Sequence, residues 1–251
     1  MSPMEEWRED LAQLASYHPY ARRIFWTGAK LFLMSYENLR ERALAVYDYL
    51  PECQTMAMFA SIRDIKPKKV WQLRRLRNLG INGLSIGTET GDDYTLRLAN
   101  KGYTAKDIID QCRKLDEAGI EYYFVYMTGL AGQGNGYWNA VNSAKVFSKV
   151  HPRFISVDSL TLFENTELYA LAEQGRFIPA AERERIEELQ TFIRHLQLRV
   201  HVFADSVSNF YPTAAYLPRD RNSILSELQN ILDTVGEEEM QKYRHGLKSL
   251  G

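Results

Sequence analysis

The stretch Leu84–Thr104 holds the residues whose types and spacing best suit chemistry. It begins as an apolar strand, and the carboxylate of Glu89 follows at the tip of that strand. Gly91 then breaks the chain, and Asp92 and Asp93 open a helix whose dipole their charges oppose. Parallel α/β folds bind ligands at the C-terminal ends of their strands. Glu89 is therefore placed for function, although the same residues also fit an ordinary turn with a solvated glutamate.

Helix-like and strand-like patterns alternate around this stretch and would position it. Strands are predicted over residues 23–26, 55–60, 83–86, 121–128 and 154–162. Helices are predicted over residues 3–16, 35–50, 66–79, 92–98, 104–118 and 138–150. This order is typical of a parallel sheet with right-handed crossovers. We therefore expect an α/β fold in the form of a partial (βα) TIM-like barrel with five to six parallel strands.

The last third of the chain has a different pattern. A long charged helix over 181–198 precedes a further strand over 199–204 and an irregular stretch over 206–218. Two more helices are predicted over 223–232 and 236–250. No Pro/Gly/Ser-rich linker separates this region from the rest. We expect residues 1–180 to form the partial barrel and residues 181–251 to form a helical C-terminal extension packed on the same domain.

Composition argues against several classes of protein. The 251 residues include 31 basic and 32 acidic side chains, so the net charge of −1 gives no sign of nucleic-acid or membrane affinity. The acidic N-terminus does not resemble a signal peptide, and no apolar run is long enough to span a bilayer. Two cysteines do not suggest a disulfide framework. A cytoplasmic protein is the simplest interpretation.

Several motifs together resemble the radical S-adenosylmethionine (radical SAM) proteins. Ile86–Gly91 and Asn100–Thr104 resemble the two halves of the fourth-strand segment of that family, at the expected separation. Arg23–Gly28 resembles the second strand with its glycine turn, and Val157–Tyr169 resembles the sixth strand with the turn that follows. Tyr216–Arg221 resembles an element near the end of one uncharacterised iron–sulfur oxidoreductase branch.

The cysteines depart from the pattern of this family. Its members hold a 4Fe–4S cluster through a CxxxCxxC loop after the first strand, but this chain has only Cys53 and Cys112, far apart. The resemblance implies S-adenosylmethionine and a 4Fe–4S cluster as cofactors, with the cluster ligands not present in this chain. The chain therefore resembles a radical SAM domain whose first strand and cluster loop are missing, and we predict no metal ligand in it.

The resemblance also implies a cofactor site. Glu89 would contact the ribose hydroxyls of S-adenosylmethionine, because a carboxylate accepts hydrogen bonds from both hydroxyls of a diol. Thr88 and Thr90 would assist, although either also fits as a turn residue. Lys101 corresponds to a basic position near the S-adenosylmethionine carboxylate in some relatives, and it fits equally a surface lysine before a glycine turn.

Two further strand ends would complete this site. In relatives the backbone of the turn at Thr27 and Gly28 holds the amino group of S-adenosylmethionine, and glycine permits a close approach. Ser61 follows the third strand of the family pattern and would face the mouth of the barrel. We assign no catalytic residue.

The implied function is the S-adenosylmethionine- and substrate-binding part of a radical SAM iron–sulfur oxidoreductase, with a small-molecule or unknown substrate. In an intact parent, the reduced cluster would cleave S-adenosylmethionine to a 5′-deoxyadenosyl radical, so we expect this chain alone to be inactive. One alternative is a non-catalytic remnant that binds a nucleotide-like ligand or a partner. Another is an unrelated α/β-barrel enzyme that uses Glu89 and Asp158, the one acid expected to be buried.

A missing first strand would also affect association between chains. It would leave residues 23–26 as an edge strand with unpaired backbone groups. Such edges pair with strands of other chains. We therefore predict self-association through the exposed barrel edge.

Overall fold

The computed structural model describes residues 3–28 and 31–247. Within these residues seven strands form one sheet, hydrogen-bonded in sequence order. The strands are β1 (Arg23–Trp26), β2 (Thr55–Ala60), β3 (Ile81–Glu89), β4 (Tyr122–Thr128), β5 (Phe154–Ser159), β6 (Val200–Ala204) and β7 (Thr213–Leu217). The helices are α1 (Met4–Tyr17), α2 (Tyr36–Tyr49), α3 (Ile62–Ile65), α4 (Val70–Asn78), α5 (Asp93–Leu98), α6 (Ala105–Ala118), α7 (Gly136–Phe147), α8 (Glu167–Glu173), α9 (Glu182–His195), α10 (Arg221–Thr234) and α11 (Glu237–Gly246), with a 3₁₀ turn at Leu31–Leu33.

The sheet is mostly parallel, which confirms the predicted α/β fold. β1 and β2, β2 and β3, β4 and β5, and β5 and β6 pair in parallel. β7 instead pairs antiparallel to β6, with Val200 opposite Leu217. The prediction that residues 206–218 are irregular was therefore wrong for β7. Its short sequence, Thr-Ala-Ala-Tyr-Leu, has only a weak strand pattern. The strand is stabilised by its pairing with β6 and not by the local sequence.

The chain divides into two compact units. The first comprises residues 1–87 and 110–123, and the second comprises residues 88–109 and 124–251, as far as they are described. β3, α6 and β4 contribute residues to both units.

In the first unit, the helix predicted over 66–79 begins four residues later than predicted. α3 ends at Ile65 and α4 begins only at Val70. Pro67 lies between them and has no backbone N–H, so it cannot continue the helical hydrogen bonds. α3 itself begins at a capping box, in which the Asp64 carboxylate accepts from the Ser61 backbone N–H at 2.8 Å. The predicted start of this helix was therefore wrong, whereas its observed end at Asn78 lies one residue before the predicted end.

In the second unit, β4, α7 and α9 share an aromatic core. Tyr126 stacks on Phe192 with ring centroids 4.2 Å apart, and Phe124 packs on Phe147 at 4.6 Å. These side chains are buried, together with Leu189 of α9. One face of the charged helix predicted over 181–198 is thus part of the core.

Other boundaries in the second unit also differ from the predictions. α8 was not predicted as a separate helix; it begins after Thr166, whose hydroxyl accepts from the Tyr169 backbone N–H at 3.2 Å. α11 ends at Gly246, and the predicted end of that helix, Leu250, lies outside the described residues. No helix in the described part of the chain is both long and apolar enough to cross a membrane.

Replacing Phe124 by alanine should lower the free energy of unfolding by about 3 to 5 kcal/mol, because its fully buried ring would leave a cavity. Phe163→Ala is the matched control, since that ring is 44% exposed, and we expect a change within about 0.5 kcal/mol. Urea unfolding followed by tryptophan fluorescence measures both. Equal effects of the two substitutions would contradict the assigned core.

Candidate active site

Glu89 is the last residue of β3 and has an unusual backbone conformation. Its φ of 62° lies in the left-handed region, which residues other than glycine rarely adopt. Its side chain is 28% exposed, and its Oε1 lies 2.9 Å from Nζ of Lys101, which is 17% exposed. Only Oε1 has a partner among the described residues, so Oε2 can accept hydrogen bonds from a ligand. The structure thus brings together two of the predicted site residues as an ion pair.

The local fold of α5 explains why Lys101 returns to Glu89. The Asp92 carboxylate caps the start of the helix by accepting from the Thr95 backbone N–H at 2.9 Å. At the other end, Asn100 adopts a φ of 51°, and the Lys101 N–H donates to the Leu96 carbonyl at 3.0 Å. This is a Schellman-type ending, which reverses the chain direction. This reversal places the ammonium of Lys101 beside the end of β3.

Two buried threonines flank Glu89 in the second unit. The Thr88 hydroxyl donates to the Val125 carbonyl at 2.8 Å. The Thr90 hydroxyl donates to Oδ1 of Asn139 at 2.5 Å and accepts from the Asp92 backbone N–H at 2.9 Å. Both hydroxyls are therefore used within the protein, and a ligand contact for either threonine stays a prediction.

The turn after Glu89 lies directly against α7. The Gly91 N–H donates to the Ser143 hydroxyl at 2.7 Å, and a Cβ on Gly91 would lie 2.9 Å from both Cα of Ser143 and Cβ of Val146. Asn142 donates to the Asp92 carboxylate at 2.7 Å. Only glycine fits position 91 at this distance from the helix.

The remaining predicted site residues lie in the first unit, at the C-terminal ends of neighbouring parallel strands. Thr27 and Gly28 follow β1 and are exposed, and Gly28 has a φ of 138°. Ser61 follows β2, and its hydroxyl accepts from the Arg63 backbone N–H at 3.3 Å. Their roles in ligand binding stay predictions.

Glu188 on α9 is a buried carboxylate that sequence reasoning missed. Its Oε1 accepts from the Tyr126 hydroxyl and from Nδ2 of Asn139, both at 2.7 Å, and its Oε2 accepts from the Gly129 N–H at 2.8 Å. Burial raises the pKa of Glu188 to about 7, although these three donors oppose the shift. The sequence offered one sign that Glu188 is buried. It lies four residues before Phe192, which is buried, and positions i and i+4 share a helix face.

Asp158 was expected to be the buried acid, and that expectation was wrong. It lies on the half-buried face of β5, whereas its neighbours Val157 and Ser159 are buried. The alternation of the strand places successive side chains on opposite faces, and Asp158 falls on the more open one.

The chain's own residues do not fit a 4Fe–4S cluster. Cys53 and Cys112 are its only cysteines, and both are buried. Burial raises the pKa of each thiol, which disfavours the thiolate that binds iron. Within residues 3–28 and 31–247, no three His, Cys, Asp or Glu side chains are grouped to hold a metal ion.

Comparison with known proteins yields a family match and several similar structures. The family model described as the radical SAM superfamily matches residues 2–142. The heme chaperone HemW of Bacillus subtilis is 27% identical over 169 residues, which are 66% of this chain and 44% of that protein.

Two solved structures support the fold. Coproporphyrinogen III oxidase (HemN) from Escherichia coli has a TM-score of 0.59 at 16% identity, over 76% of this chain and 45% of that one. Archaeal Elp3 from Methanocaldococcus infernus has a TM-score of 0.57 at 15% identity, over 90% of this chain and 58% of that one. This chain therefore spans about half the length of the proteins it resembles.

Replacing Gly91 by alanine should lower the free energy of unfolding by about 1 to 3 kcal/mol, because the added methyl group overlaps α7. Gly246→Ala is the control, since a Cβ there meets nothing within 4 Å and should change stability by less than about 0.5 kcal/mol. Thermal and urea unfolding of both variants test this. A Gly91→Ala protein as stable as the Gly246→Ala protein would show that the turn does not pack on α7.

Titration of Glu188 should make stability depend on pH. Its pKa is about 7 in the folded chain and about 4.5 in the unfolded chain, so between these values the folded state binds more protons. The free energy of unfolding of the unsubstituted protein, relative to Glu188→Gln, should therefore fall by about 3 kcal/mol as pH rises from 4.5 to 7.5. Urea unfolding at pH 5, 6, 7 and 8 measures the difference. A difference independent of pH would mean that Glu188 does not titrate in this range.

Proposed function

Because the chain belongs to the radical SAM superfamily, we propose that it is the S-adenosylmethionine- and substrate-binding part of a radical SAM iron–sulfur oxidoreductase. The family implies S-adenosylmethionine and a 4Fe–4S cluster as cofactors. When bound, S-adenosylmethionine supplies the 5′-deoxyadenosyl group for radical chemistry. The protein's own contribution is to bind, orient and shield the reacting groups.

The Glu89–Lys101 pair is the observation that carries this proposal. The partly exposed carboxylate can accept hydrogen bonds from the vicinal hydroxyls of a ribose, and the Lys101 ammonium, 2.9 Å from its Oε1, fixes its position. Lys101 also offers further N–H donors to an anionic group of the ligand, such as the amino-acid carboxylate. The pair thus supplies an acceptor for the ribose hydroxyls and a donor for the carboxylate of the ligand.

The other cofactor contacts are part of the same proposal. The backbone at Thr27 and Gly28 would accept from the S-adenosylmethionine amino group, and Ser61 would line the adjoining strand end. Thr88 and Thr90 would act mainly by fixing the backbone on either side of Glu89, since their hydroxyls already bond within the protein.

We propose that this chain by itself does not form the radical. Cys53 and Cys112 are buried and too few to ligate a cluster, so a cluster would need thiolates other than those of residues 1–251. The protein would act in the cytoplasm on a small-molecule substrate. Residues 1–180 would form the partial barrel and residues 181–251 the extension packed on it.

We also propose that chains associate through the edge at β1. β1 lies at the end of the strand order, with β2 as its sheet neighbour. Phe25 and Phe59 form a T-shaped pair with centroids 4.9 Å apart, and their rings are 42% and 52% exposed. Exposed apolar side chains beside open backbone groups favour strand pairing between chains.

Binding of S-adenosylmethionine tests the proposed function. Saturation-transfer NMR at millimolar ligand should show contacts to the ribose protons in the unsubstituted chain. Glu89→Gln should lose most of these signals, because a neutral amide accepts more weakly from the diol and cannot pair with Lys101.

Glu173→Gln is the matched control, because Glu173 is exposed on α8 and has no assigned role. It should give the same spectra as the unsubstituted chain. Equal ribose signals in all three proteins, or none in the unsubstituted chain, would contradict the proposal.

A further inference from the structure

We propose that Asn139 on α7 and Glu188 on α9 are positioning residues that hold the Glu89 turn in its ligand-binding conformation. This inference rests on the proposed function, because it concerns the same carboxylate. Neither residue contacts Glu89 itself in the hydrogen bonds described above. Each would act through the residues that link it to the turn.

The turn requires support from outside its own sequence. A glutamate with φ of 62° occupies a strained conformation that persists only where the surrounding structure fixes it. The next residue, Thr90, is fully buried, and its hydroxyl lies 2.5 Å from Oδ1 of Asn139 and 3.2 Å from the Ser143 hydroxyl. The backbone directly after Glu89 is therefore attached to α7 through side chains shielded from water.

Glu188 fixes which way the Asn139 amide points. Nδ2 of Asn139 donates to Oε1 of Glu188 at 2.7 Å, so Oδ1 faces Thr90. A reversed amide would direct Oδ1 at the carboxylate, which in its ionised form only accepts hydrogen bonds and would repel it. Glu188 thus selects the orientation in which Asn139 can accept from Thr90.

Glu188 is itself held by two donors from β4 and the loop that follows it. The Tyr126 hydroxyl on β4 and the Gly129 N–H after β4 both donate to it, and the Tyr126 ring stacks on Phe192. The connected polar groups run from α9 through Asn139 to Thr90 without exposure to solvent. In such a buried network the loss of one link weakens the others, since no water replaces it.

The consequence is a role for α9 in the site at β3. α9 lies in the C-terminal region, beyond the match to the family model, which ends at residue 142. Its carboxylate reaches the Glu89 turn through two hydrogen-bonded side chains. We therefore expect substitutions of these hydrogen-bonded residues to change ligand affinity, although the residues themselves do not contact the ligand.

The test compares Thr90→Val, which removes the hydroxyl and keeps the shape, with Thr90→Ser, which keeps the hydroxyl. Asn139→Ala interrupts the same link from the other side. Thr191→Val is the control, because its hydroxyl bonds the Glu187 carbonyl within α9 and not the turn. Each protein is measured for amide hydrogen exchange in residues 88–95 without ligand, for thermal unfolding, and for S-adenosylmethionine affinity.

We expect exchange in residues 88–95 to become about tenfold faster, and affinity about tenfold weaker, in Thr90→Val and in Asn139→Ala. Thr90→Ser and Thr191→Val should match the unsubstituted protein in both. The double variant Thr90→Val/Asn139→Ala should lose no more affinity than Thr90→Val, because Thr90→Val already removes the hydrogen bond between Thr90 and Asn139.

Unchanged exchange and affinity in Thr90→Val would overturn the positioning role, and so would additive losses in the double variant. If Asn139→Ala fails to fold, comparing amide exchange in Thr90→Val with that in Thr90→Ser still tests the positioning role. A chain that binds no S-adenosylmethionine would refute the proposed function alone, since the exchange of the turn is measured without ligand.

Discussion

The site depends on one constraint: a non-glycine residue must occupy the left-handed region at the end of a strand. Glu89 does so with φ of 62°, and local sequence alone does not favour that conformation. The buried hydroxyl of Thr90 and the backbone N–H of Gly91 are bonded to Asn139 and Ser143, which fixes the chain immediately after it. The position of the carboxylate therefore follows from the packing of α7 against the turn.

The chemistry of the site follows from this placement. The Schellman ending of α5 returns Lys101 to Glu89, and the resulting ion pair is partly open to solvent. The Lys101 ammonium keeps further N–H donors, which can contact an anionic group of a ligand. The sequence has two cysteines, Cys53 and Cys112, and both are buried thiols that do not suit the cluster that the radical SAM superfamily implies.

The sequence predicted those parts of the fold that depend on local pattern. β1 and β2 have the predicted bounds, and Glu89 lies at a strand end as expected. The missed features depend on tertiary contacts: β7 exists through pairing with β6, and Glu188 is buried because Tyr126, Gly129 and Asn139 all donate to it. No local pattern distinguishes such a glutamate from the exposed acids on the same charged helix.

The most direct test of this account is a crystal structure of the chain soaked with S-adenosylhomocysteine. We predict electron density for the nucleoside at the end of β3, with the ribose hydroxyls within hydrogen-bond distance of the Glu89 carboxylate and the turn unchanged from Thr88 to Asp92. A nucleoside bound elsewhere, with no ribose contact to Glu89, would contradict the account.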